Sequence, residues 1–241
     1  IAINAANTVL DLSEMIISGN VNDYSSSHGG AISVETGSTA NISHTLIAGN
    51  RAQLGAGVYG SGYVLIRDSV FRDNQSIYKS PYGLGAAIFI DGYKDYNWPK
   101  AYVENTSFIN NWSHNYGGAI ENDRGYVTLN NCLFVDNSNN QLGTYSNQYG
   151  GAICNYAGYT NILNSTFSRN SGTYGSAIGN YSGGTTIINT IIDSSTGGLA
   201  VYNRSGALAI KHTDLYNNVS GNIYGNVTTQ NILTDDPQYV A

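Results

Sequence analysis

The sequence predicts an all-β chain wound as a right-handed parallel β-helix, a β-solenoid of about eight coils of three short strands each. Three observations point there. A glycine–small–apolar signature recurs along the chain, and an apolar residue followed three positions later by Asn recurs between its copies. Around the second signature, apolar and polar residues alternate with period 2, the mark of a half-buried strand.

The glycine signature reads Gly29-Gly-Ala-Ile32, Gly55-Ala-Gly-Val58, Gly85-Ala-Ala-Ile88, Gly117-Gly-Ala-Ile120, Gly150-Gly-Ala-Ile153 and Gly175-Ser-Ala-Ile178, with a weaker copy at Gly198-Leu-Ala-Val201. Such a run suits a corner where the backbone needs an unusual φ, or where only a tiny side chain fits inside. Replacing Gly117 by Val is therefore expected to harm the rod more than any change in a loop.

The second signature reads Ile17/Asn20, Ile47/Asn50, Phe71/Asn74, Phe108/Asn111, Phe134/Asn137, Phe167/Asn170 and Leu215/Asn218, with Ile192/Ser195 filling the gap. Five positions before each anchor stand Leu12, Ile42, Ile66, Val103, Leu129, Ile162, Ile187 and Ile210. Two before stand Met15, Thr45, Ser69, Thr106, Cys132, Ser165, Thr190 and Thr213. These columns predict an Ile/Phe core stack, a hydroxyl column and an amide ladder at a turn, as identical Asn residues form in stacked strands.

The anchor advances by 30, 24, 37, 26, 33, 25 and 23 residues, and nothing repeats at the helical period. The minimum of 23 fits three short strands and three turns per coil. Coils stacked at ~4.8 Å would build a rod of roughly 40 Å. Residues 1–241 are read as a single domain, and Ile1, already inside a strand-like stretch, suggests a trimmed piece of a longer chain.

Composition narrows the function classes. Charged residues make up 11%, the net charge is -6 and the pI is near 4.9, with only 10 scattered Lys and Arg. Nucleic acid is not an expected partner, because phosphate binding needs clustered basic side chains. No apolar run approaches the ~18 residues of a membrane helix, so no membrane insertion is expected in this segment. Cys132 and Cys154 fall at different points of the repeat, which leaves a disulfide open beside two semi-buried thiols.

Excess length concentrates in residues 21–28, 75–84, 138–149 and 91–100. These insertions carry Tyr24, Tyr78, Tyr82, Tyr93, Tyr96, Trp98, Tyr145 and Tyr149, with Trp112 and Tyr116 in a shorter loop between. In a solenoid, insertions at one point of the coil emerge on one flank, often the binding face. Tyr78, Tyr82, Tyr93, Tyr96, Trp98, Trp112, Tyr116, Tyr145 and Tyr149 are the candidate ligand contacts, suited to sugar or protein surfaces. The alternative is that they fold back to pack their own loops.

Parallel β-helices also carry polysaccharide lyases and glycosidases, which need convergent carboxylates, a basic residue or calcium. Six residues after the first Gly of each signature stand Glu35, Ser61, Asp91, Asp123, Tyr156 and Tyr181, so Asp91 and Asp123 should be neighbours, with Glu121 and Arg124 near by. Two stacked carboxylates repel unless hydrated, bridged or partly protonated. Asp91, Asp123 and Glu121 are thus the candidate metal site, for Ca²⁺, or an acid pair; otherwise they are a solvated surface pair. No other cofactor is expected. The four histidines, His28, His44, His114 and His212, show no metal-ligand spacing, and the glycines fit no phosphate loop. Asp235-Asp236, before Pro237, reads as a turn.

The paired signatures resemble those of the polymorphic outer-membrane protein repeats, found in autotransporter-type passenger domains and secreted β-helix proteins. Gly29–Ile32, Gly117–Ile120 and Gly150–Ile153 match the first motif strictly, and Phe71–Asn74, Phe108–Asn111, Phe134–Asn137 and Phe167–Asn170 the second. The closing Asp236-Pro-Gln-Tyr-Val240 resembles an element near the end of such arrays. The resemblance implies surface display and adhesion, with no family-wide catalytic residues to carry over. The expected function is a non-catalytic extracellular or cell-surface adhesin or structural protein. Its partners would be a glycan, a surface protein of a host or neighbouring cell, or its own copies end to end. The rivals are a polysaccharide lyase or glycosidase using Asp91, Asp123 and Glu121, and a fibre-forming protein.

Overall fold

The computed structural model describes residues 1–3, 8–22, 28–77, 84–93, 98–139 and 148–239. The described strands pair in parallel, coil upon coil, in three sheets, and the architecture is a right-handed parallel β-helix. The nine-stranded glycine sheet runs from Ala2–Ile3 through Ile32–Val34, Val58–Gly60, Ile88–Asp91, Ile120–Asp123, Ile153–Asn155, Ile178–Asn180 and Val201–Asn203 to Ile223–Tyr224. A sixteen-stranded broad sheet takes two strands from most coils, such as Tyr126–Asn130 and Leu133–Val135. A narrow sheet stacks six two-residue strands from Arg51–Ala52 to Thr196–Gly197.

Each coil was expected to hold three strands. Most hold four, because the chain bends inside the broad sheet. The bend falls three residues before each anchor, at Glu14, His44, Asp68, Asn105, Asn131, Asn164, Asn189 and His212, all with φ between 48° and 56°. A second left-handed column lies two residues after the anchor, at Gly19, Gly49, Asp73, Asn110, Asp136, Arg169, Ser194 and Asn217. Asn, Asp and His tolerate this region best among residues with a side chain, which explains why Asn and Asp recur at both corners and His at the first. At Ala207–Tyr216, and again at Thr228–Leu233 paired on it, the two broad-sheet strands run on as one.

Register bears out the columns. Ile17, Ile47, Phe71, Phe108, Phe134, Phe167, Ile192 and Leu215 pair in succession, and so do Leu12 to Ile210 five positions earlier. The four Phe rings stack with centroids 5.2, 4.6 and 4.5 Å apart along the axis of one apolar core. A side chain at this seam covers the coil on either side, so each coil's burial depends on its neighbours.

The Asn ladder is continuous from Asn20 to Asn170. Each Nδ2 donates to the next Oδ1 at 2.8–3.1 Å, and that same oxygen accepts the preceding backbone N–H. From Asn50 onward, Nδ2 also donates to the anchor carbonyl of the coil before. In the hydroxyl column each Oγ donates to the carbonyl two residues earlier, as Thr106 does to Glu104 at 2.8 Å. Cys132 sits in that column as a thiol, and Cys154 is buried on the glycine sheet; the two are not bonded. At Gly117, φ is 56° and a Cβ would fall 2.2 Å from the Ile120 carbonyl oxygen, which accounts for the expected intolerance of Val.

Candidate functional site

Alternation on the glycine strands sends every second residue outward. One outward column runs Ser33, Tyr59, Phe89, Glu121, Cys154, Gly179, Tyr202 and Tyr224 in register. The next runs through Asp91 and Asp123, which pair as neighbours, as their spacing from the glycines requires. A third lies one residue before the glycine signature: His28, Leu54, Leu84 and Tyr116, then Tyr149 and Tyr174. Outside the rod, Tyr59, Leu84 and Phe89 are buried with Leu54 and Tyr116 packed on them, forming a second small apolar cluster.

Glu121 stands at the margin of this cluster, between Phe89 and Cys154, and is 1% exposed. Its Oε2 is buried without a hydrogen-bond partner. Burial first, then the nearby Asp123 and Asp91, push its carboxyl well above the ordinary range. Asp123 is pushed up to about 6 by burial, against the pull of Arg124, whose Nη1 donates to both its oxygens at 3.0 and 3.3 Å. Asp91 accepts from the Tyr59 hydroxyl at 2.7 Å and the Tyr93 backbone N–H at 2.9 Å. Leu84, Tyr93, Asn115, Tyr116, Glu121, Asp123, Arg124 and Tyr156 line a cavity of about 440 Å³. Among the described residues, no three His, Cys, Asp or Glu side chains are grouped to hold a metal ion.

Beyond Cys154 the face becomes a tyrosine cluster. Tyr116 meets Tyr149 and Tyr156, Tyr156 stacks on Tyr181 at 4.5 Å, and Tyr174, Tyr202 and Tyr224 continue the chain of rings. The Arg204 guanidinium lies 4.0 Å over Tyr181.

A different aromatic group decorates the broad sheet. Tyr63, Lys100, Tyr126 and Tyr159 follow one another in register on its outer face. Tyr126 and Tyr159 are stacked at 5.4 Å, Trp98 lies 5.4 and 5.9 Å from them, and Tyr102 lies 5.8 Å from Tyr63. All five rings are between 37% and 50% exposed. Grooves beside them are lined in part by Thr128, Asn130, Asn161 and Asn164.

The candidate aromatic contacts do not share one flank. Trp98 is on the broad sheet, Tyr93, Tyr116 and Tyr149 are on the glycine sheet, and Trp112 belongs to a narrow-sheet strand paired with Gln75 and Ser138. Asp91 closes a glycine-sheet strand and Lys100 opens a broad-sheet one, so the described ends of the insertion, Tyr93 and Trp98, lie on different faces. Tyr149 is folded back among other tyrosines, 5% exposed. Tyr78, Tyr82, Tyr96 and Tyr145 lie outside the described residues. Tyr63, Tyr102, Tyr126 and Tyr159 were missed, although they sit at outward positions of strands whose inward columns are plain in the sequence.

Repeat type and face meet in one stretch of chain, from the hinge at Asn105 through Phe108–Asn111 and Gly117–Ile120 to Asp123. Residues 105–123 match the Chlamydia polymorphic membrane protein repeat. The match joins the two signatures and ends in the carboxylates of the cavity, and with the stacked parallel sheets it fits a β-helix of polymorphic-membrane-protein type. Searches of curated proteins and of solved structures gave no significant match.

Proposed function

We propose that this chain is a non-catalytic β-solenoid of the cell surface or extracellular space that acts as an adhesin, holding glycan on the aromatic shelf of its broad sheet. The repeat type supports surface display, since the family whose repeat it matches is one of membrane proteins. The observation that carries the ligand assignment is the open row of Tyr63, Trp98, Tyr102, Tyr126 and Tyr159. Flat rings left half in water offer apolar faces to the C–H side of a sugar ring, while Thr128, Asn130 and Asn161 beside them offer hydrogen bonds. A protein partner would favour a more continuous apolar centre than this row, which Lys100 and the polar grooves interrupt.

Glycan-array and whole-cell binding of the parent and of a Trp98→Ala/Tyr126→Ser variant provide the test. The proposal predicts at least a roughly tenfold weakening with an unchanged thermal melt. Unaltered binding to every glycan recognised by the parent would refute the shelf assignment.

A further inference from the structure

The cavity on the glycine sheet is separate from the shelf, and its composition is unusual for a solvated surface. A carboxyl that is fully buried, flanked by Phe89 and Cys154 and lacking a partner for Oε2, is held as the neutral acid, because nothing adjacent compensates its charge. The raised proton affinity of Glu121 agrees with this geometry. A protonated carboxyl with no internal acceptor is an O–H donor awaiting one.

The rest of the lining indicates the kind of molecule that would supply it. Arg124 is already ion-paired with Asp123, and Asp91 stands in the next coil, so the rim carries no surplus positive charge for an anion. The Asp123 carboxylate accepts, Arg124 donates, and the Tyr116 and Tyr156 rings wall the space. About 440 Å³ falls in the size class of small-molecule sites. We infer that this cavity is a binding site for an uncharged pyranose, with Glu121 donating to one sugar oxygen, Asp123 accepting from a hydroxyl, and a tyrosine ring against the sugar's C–H face.

Saturation-transfer NMR with the methyl glycosides of glucose, galactose, mannose and N-acetylglucosamine, and with glucuronate as an anionic control, tests it. At least one neutral glycoside should bind the parent and Trp98→Ala alike, which separates this site from the shelf. Glu121→Leu and Tyr156→Ala should each weaken binding at least roughly tenfold. Glu121→Gln, which keeps a donor, should stay within about threefold. The inference is overturned if no neutral glycoside binds, if glucuronate binds more tightly than all of them, or if Gln damages binding as much as Leu. It is also overturned if Leu and Tyr156→Ala leave binding unchanged, so a misfolding variant does not protect it.

Discussion

At Glu121 a single outward position receives a carboxyl in a column whose neighbours are Phe89 and Cys154. Asp91 and Asp123 could be paired from their common distance to the glycine corners. The burial of Glu121 could not, because Leu84, Tyr116 and Tyr156, which line the same cavity, belong to other columns. Both Glu121 and Asp123 hold their protons more tightly in the native state than in the unfolded chain. Between their unfolded values and their raised native ones, the native state binds more protons. Their contribution to stability is therefore fully present in acid and is lost as pH rises through about 6 for Asp123, and further as Glu121 titrates. Glu121→Gln removes its share of that decline. Urea midpoints across about pH 4 to 8 should fall less steeply in the variant, which should be the more stable protein at neutral pH. Parallel declines would show that Glu121 ionises freely.

Among the elements, the Asn ladder shows how turn chemistry fixes register. Each amide bonds the coils on both sides, so a slip by one residue would strand several buried donors at once. The ladder was legible as an Asn column. A second one was missed: five residues after the first glycine stand Asn122, Asn155, Asn180 and Asn203, linked Nδ2 to Oδ1 at 3.3, 2.9 and 2.8 Å. The two left-handed corners were also missed, because His44, Asp68 and Asn105 share a backbone conformation rather than a side-chain type. The first ladder is interrupted at Ser195, whose Oγ is buried without a partner while its backbone N–H donates to Asn218 at 3.1 Å. Ser195→Asn should restore the missing rung. One added buried hydrogen bond of about 1 kcal/mol corresponds to a rise of roughly 2–4 °C in the melting temperature of a chain this long. A lower melting temperature would show that the turn has no room for the amide.

For the whole molecule, core and surface divide the sequence between them. Inward columns repeat because every coil meets the same neighbours, and that repetition made the fold readable despite an uneven period. Function is free to vary only on the outer faces and in the insertions, where adjacent residues come from different coils. The aromatic shelf illustrates this: Tyr63, Trp98, Tyr126 and Tyr159 are scattered over almost a hundred residues of sequence and gather only when the coils stack. The outer aromatic shelf of a structurally specified rod is the central claim, and oxidative footprinting of the chain with and without a glycan that it binds on an array addresses it most directly. Trp98, Tyr102, Tyr126 and Tyr159 should be oxidised in the free protein and shielded in the complex, while the exposed Tyr224 and Tyr239 stay reactive in both. Unchanged oxidation of the four shelf residues on binding would contradict the account.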